Sequence, residues 1–190
     1  MDKSRPMNLI LFGRSGSGKG TQAELLAKHF NMLHVSSGDL FRRLAGQDSN
    51  VGMRIKEVLK RGGLPFDQMA TSLWMYEISY QLKKDQSLLC DGMPRRLDEA
   101  KNLYDFLNWL ERLENTRALV IEISREEAIK RLLKRGRGDD DEEAIGKRLD
   151  WYEERVVPAI NYYRDKSIVV DINGEQSIED VFKEILDKIK

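Results

Sequence analysis

"LILFGRSGSGKGTQAELLAKHF", residues Leu9 to Phe30, decides how the rest of the chain is read. A short apolar run ends at Gly13, and Gly16 and Gly18 then carry the chain to Lys19. Glycines at this spacing let successive backbone N–H groups turn inward. The helix that follows adds the positive end of its dipole, and the lysine a mobile point charge. A plain strand-to-helix turn needs none of this, so the stretch reads as a cradle for a nucleoside triphosphate. One detail departs from the general pattern. The usual hydroxyl directly after the lysine is missing: Gly20 stands there, and the hydroxyl waits until Thr21.

Outward from the loop, short β-rich runs alternate with longer helical patterns. The runs are Met7–Phe12, Met32–Val35, Ser87–Cys90, Ala118–Ile123 and Ser167–Ile172. Apolar runs without alternation suit strands covered on both faces. Helical patterns occupy Lys19–Phe30, Leu97–Leu113, Arg125–Lys134, Glu142–Asp165 and Ser177–Ile189. Strand–helix repetition predicts an α/β fold of three layers, a five-stranded parallel sheet between helices. Gly38–Lys84 has helical patterns but no strand, and Arg135–Asp141, "RGRGDDD", is a short polar joint; both read as inserts on that core.

Composition narrows the function. With 190 residues, 41% of them hydrophobic, the chain suffices for a single domain with a substantial core. Its 32 basic and 32 acidic residues cancel, which argues against a broad nucleic-acid or membrane surface. No apolar run approaches the roughly 20 residues of a membrane span. Cys90, the single cysteine, excludes an internal disulfide and a multi-cysteine zinc lobe. A cytoplasmic protein is expected. Cys90 and the tryptophans Trp74, Trp109 and Trp151 read as packing residues, and His29 and His34 are too isolated for a metal site.

The spelling G-x-x-G-x-G-K-G-T resembles the nucleoside monophosphate kinases, the adenylate kinase family above all. "SSGDLFRR" (Ser36–Arg43), "GGLPFD" (Gly62–Asp67), "LLCDGMPRR" (Leu88–Arg96) and "RLLKRGRGDDDEEAIGKRLDWY" (Arg131–Tyr152) are similar to further family motifs, in the family's order. The resemblance implies one P-loop kinase domain over 1–190, with a helical monophosphate-binding insert at about 36–65 and a short lid at about 135–141. It implies reversible transfer between ATP and AMP with Mg2+, direct and in line, by a monomer without nucleic-acid or membrane partners. Gly16, Ser17, Gly18, Lys19, Gly20 and Thr21 would cradle ATP, with Arg135 and Gln176. Ser37, Arg42, Gly63, Leu64, Pro65, Gly92, Met93, Pro94, Arg95 and Glu99 would surround AMP. Lys19, Arg95, Arg135, Arg137 and Arg148 would act on the transferring group, Arg137 and Arg148 from the AMP side as well. Thr21 and Asp91 would hold magnesium, mainly through water, and no zinc is implied. The Met93–Pro94 bond is often cis in the family.

Arginine forks suit such work because they bind phosphate oxygens in pairs and stay charged. Arg131, one turn before Arg135, either joins this cluster or forms a surface pair with neighbouring acids. Asp139 and Asp140 either contact ribose or metal, or begin a helix. Departures from the family concern the acceptor. Met93 replaces a phenylalanine, a packing change, and Arg96 stands where threonine is common. Glu99 stands where a glutamine reads adenine. A carboxylate only accepts, which suits adenine's amino group but opposes its N1, and suits guanine's two donors. Either Glu99 meets the base, or the register slips and another residue does. AMP remains the favoured acceptor, with GMP, UMP and CMP as alternatives and a non-catalytic nucleotide sensor as a further one.

Overall fold

Burial along β1 (Asn8–Phe12) sets the layers. In the computed structural model, which describes residues 5–63, 65–136 and 142–189, Leu9 and Leu11 join one core while Ile10 and Phe12 join another. This is the two-residue period of a strand buried on both faces. The first core packs the sheet against α1 (Lys19–Phe30) and α9 (Ile178–Lys188), through Ala23, Leu26, Val181 and Ile185. The second lies under α4 (Asp67–Gln81), α5 (Leu97–Trp109) and α8 (Val157–Asp165), through Trp74, Leu103 and Tyr163. Both large rings keep a polar partner: Trp74 Nε1 donates to Glu99, and Tyr163 Oη to the Ala100 carbonyl at 3.0 Å.

The other strands are β2 (Leu33–Ser36), β3 (Leu88–Asp91), β4 (Thr116–Glu122) and β5 (Val169–Asn173). The sheet is parallel throughout, in the order β2-β3-β1-β4-β5. Strand order therefore reverses beside β1. The crevice at the carboxyl ends of β1, β3 and β4 is where an open α/β sheet binds ligands.

Two arms rise over this crevice. The first comprises α2 (Ser37–Ala45) and α3 (Asn50–Lys60), capped by Ser36 and Ser49, whose hydroxyls accept from Asp39 N and Gly52 N. The second comprises α6 (Arg125–Arg135), capped by Ser124 and stopped by left-handed Gly136, and α7 (Glu142–Trp151). Ile123, Ala128, Leu132, Ile145 and Leu149 form a small separate core beneath it.

The helix expected over Glu142–Asp165 is not uniform: a π-helical turn at Tyr152–Val156 separates α7 from α8. Trp109 is not a core residue, being 77% exposed and stacked on Phe106, whereas Trp74 is wholly buried. Cys90 is buried as expected. Among the described residues no helix is long and apolar enough to cross a membrane.

Candidate active site

The loop after β1 folds as its glycines require. Gly13 has φ 149°, and a Cβ there would lie 2.6 Å from the Ile121 carbonyl oxygen. Gly18, at the N-terminus of α1, has φ 90° and would meet nothing within 4 Å. The first glycine allows close packing against β4; the second leaves an open face for a ligand. Lys19 folds back over the loop and donates to the carbonyls of Gly13 (2.6 Å) and Arg14 (2.9 Å). Burial pulls its pKa down to about 8; Asp91 opposes this, and Arg95 and Arg135 add to it.

A cleft of about 250 Å³ opens along this loop. Gly16, Ser17, Gly18 and Thr21 form its floor, Arg131 one wall, and Gly174, Gln176, Ile178 and Val181 the other. Of the donor residues read from the sequence, Gly16, Ser17, Gly18, Thr21 and Gln176 line this cleft, whereas Lys19, Gly20 and Arg135 do not. Arg131 bonds Glu127 (2.7 Å) and the Gly174 carbonyl (3.1 Å), so it forms the pair with a neighbouring acid while also lining the cleft. Gly174, Ile178 and Val181 were not legible: they line the cleft with backbone and apolar groups, which carry no residue-type signal. Gln176 donates to the Asn173 carbonyl (2.9 Å) and Glu184 (2.5 Å), pinning the rim.

Asp91 ends β3 beside this cradle. Burial pushes its carboxyl up. His34 Nε2 at 3.7 Å, Lys19 and Arg95 outweigh that and hold it below the usual carboxylate range. His34 thus has a neighbour that its sequence isolation did not suggest. Asp91 is ionised, and Thr21 presents an exposed hydroxyl in the cleft. Such oxygen donors suit a hard cation that keeps most of its waters and leans on phosphate oxygens.

The second pocket lies between α2, α4 and the turn after β3. Ser37, Phe41, Pro65, Ala70, Gly92, Arg95, Arg96 and Glu99 line it. Its free space is only about 20 Å³, room for a water and not for a nucleotide. The arms are drawn together here: a Cβ at Gly62 would sit 3.1 Å from the Ala144 backbone on α7. Arg95 Nε donates to the Gly92 carbonyl at 2.7 Å. Burial lowers the Arg95 pKa, Glu99 and Asp91 oppose that, and Arg42 and Arg148 act from nearby in the same direction as burial. Arg42 is exposed and bonds Asp39 at 2.6 Å. Lys19 and Arg95 are thus within electrostatic reach of Asp91 and of each other, with Arg135 acting on Lys19, and Arg42 and Arg148 on Arg95.

Among the described residues, the expected acceptor residues Arg42, Gly63, Met93, Pro94 and Arg148 do not line this pocket. Met93 is a core residue, 1% exposed, and Pro94 is buried behind a cis peptide bond. Gly63 closes the turn after α3, donating its N–H to the Val58 carbonyl at 2.9 Å. Ser37 lines the pocket, but its hydroxyl donates to the Gly92 carbonyl at 2.5 Å. Leu64, Arg137, Asp139 and Asp140 lie outside the described residues.

Glu99 is 4% exposed and faces inward. Its Oε1 accepts from Trp74 Nε1 at 2.9 Å and its Oε2 from the Arg95 backbone N–H at 2.7 Å. Burial outweighs these bonds and the nearby Arg95 and Arg96, so its pKa is raised. The carboxylate that sequence placed against the base is already tying α4 to the turn that carries Arg95.

Comparison with known proteins agrees with this geometry. The family model described as Adenylate kinase matches residues 11–168. An adenylate kinase of Prochlorococcus marinus (strain AS9601) is 34% identical over 183 residues, covering 96% of this chain and 98% of its own. One from Parabacteroides distasonis is 34% identical, covering 97% and 100%. One from Petrotoga mobilis is 31% identical, covering 97% and 98%. With a family model spanning most of the chain and full-length relatives above 30% identity, the chain belongs to the adenylate kinase family.

Proposed function

We propose that the chain transfers the terminal phosphoryl group of ATP to AMP, reversibly and directly, giving two ADP. As a family member it is a phosphotransferase, a nucleoside monophosphate kinase. The observation that carries the finer reading is the pair of facing sites: a glycine-lysine cradle on one side and Arg95 on the other, with Lys19 sensing both Arg95 and Asp91. A sensor of triphosphate would need only the first.

The chain's part is alignment and charge neutralisation. An acceptor phosphate oxygen, held by Arg95 and Arg42, attacks the terminal phosphorus. The bond to the bridging oxygen breaks, and ADP leaves with that oxygen's charge. No proton has to move. Lys19 leaves its loop carbonyls for the donor's outer phosphates, while Arg135 and Arg148 stabilise charge spreading over the transferring oxygens. Magnesium bound with ATP would neutralise phosphate charge, and Asp91 and Thr21 would hold it largely through water. Closure of both arms keeps water from competing with the acceptor. The proposed setting is a monomer in the cytoplasm.

The acceptor is tested by measuring ADP formed from ATP with AMP, GMP, UMP and CMP. AMP is expected to give the highest kcat/KM. GMP is the second reading, because Arg96 and Glu99 line the pocket with a donor and an acceptor. A GMP preference of about tenfold or more, at least 1.4 kcal/mol, would replace AMP as the acceptor.

Lys19 makes ATP binding pH-dependent. Its pKa near 8 means that the free protein holds it charged below pH 8 and neutral above. A polyanion favours the charged form, so above pH 8 binding must take up a proton and affinity falls as pH rises. Calorimetry in buffers of different ionisation enthalpy should find proton uptake at pH 9 and little at pH 7. Equal uptake at both would remove Lys19 from the donor phosphates.

A further inference from the structure

Arg14, the residue after the first loop glycine, joins three elements that the reaction must keep in register. Its Nη1 donates to the Ile123 carbonyl at 2.8 Å, just beyond β4. Its Nε and Nη2 donate to Glu153 at 3.1 and 2.5 Å, and its guanidinium lies 5.0 Å from the centre of the Tyr152 ring. Its own carbonyl accepts from Lys19. Glu153 and Tyr152 belong to the π-helical turn Tyr152–Val156.

That turn is a joint. On its far side α8 is anchored in the main core by Ala159, Ile160 and Tyr163. On its near side α7 carries Arg148, one helical turn before Tyr152, and its Ile145 and Leu149 join the small separate core with α6, not the main core. A π turn carries an extra residue within the helix and marks a site of local bending, often a functional one. A half-exposed ion pair alone contributes little to stability. A guanidinium held at the same time by a carbonyl, a carboxylate and a ring face has little freedom to turn.

We propose that Arg14 is a positioning residue: by clasping the π turn to the donor loop, it sets the angle of α7 and so the placement of Arg148 relative to Lys19. The inference rests on the transfer reading above, in which these two cations act on one phosphoryl group. Alignment of that group is sensitive to shifts of about 1 Å, so losing the clasp should cost roughly tenfold to a hundredfold in rate. Substrate binding should change little, because Arg14 lines neither pocket.

The test uses Arg14→Met, which keeps an apolar stem over Tyr152, and Glu153→Ala, which opens the clasp from its other end. Two readouts are needed: kcat and KM for both nucleotides, and hydrogen exchange of the Tyr152–Val157 amides. The expected result is a lower kcat with KM unchanged and faster exchange at the turn in each variant. The double variant should be no slower than Arg14→Met alone. Unchanged kcat and unchanged exchange would overturn the proposal, as would a raised KM for ATP with kcat intact. A wild-type protein that forms no ADP with any monophosphate would defeat the transfer reading, and exchange at the turn would then judge the clasp by itself.

Discussion

Lys19→Met should lower kcat by about a thousandfold, the scale seen when a charge-stabilising donor is removed from a transition state. Methionine keeps the length of the stem and loses the ammonium. In the free protein that ammonium bonds the Gly13 and Arg14 carbonyls, but neither it nor the loop belongs to the two main cores, so the fold should survive. In the proposed complex nothing replaces it, because Arg135 and Arg95 are assigned to other phosphate oxygens. The check is steady-state ADP production beside a thermal melt. Near-normal turnover by a folded variant would discredit the cradle as the donor site.

The second large effect is on stability. Glu99→Ala leaves the Trp74 indole N–H and the Arg95 backbone N–H buried without an acceptor. At about 1–3 kcal/mol for each, the loss should reach about 2–6 kcal/mol in urea unfolding. The KM for the acceptor should rise as the Arg95 turn loosens. Glu99→Gln keeps one acceptor and should recover part of the loss. Its comparison with wild type also has a pH sign. A carboxyl whose folded pKa is raised above 4.5 binds more protons folded than unfolded in the window between the two values. Wild type should therefore gain stability relative to Glu99→Gln as pH falls toward 4.5. A Glu99→Ala protein as stable as wild type, with only its base preference altered, would return Glu99 to the base-reading role.

Glu99 also shows where sequence reading stops. Counting on from Arg95 to the family's base-reading position picked it out, and it does line the same pocket as Arg95. Spacing could not say that Trp74, 25 positions earlier on α4, would take one of its oxygens. Arg14 is the same case: within the loop it looks like filler between glycines, and its partner Glu153 is 139 positions away. His34 beside Asp91 and the apolar wall of Ile178 and Val181 likewise arise from elements that meet only after the sheet forms.

What the amino-acid order determined by itself was everything governed by local rules. The strand and helix periods, the glycine loop before a helix, the five-strand α/β alternation, Lys19 at a helix start and Asp91 at a strand end all follow from neighbours within a turn or two. Tertiary structure alone decided which groups spend their hydrogen bonds on one another and which are left for ligands. That outcome depends on burial and on distant partners, since a buried donor takes whichever acceptor the packed chain brings to it.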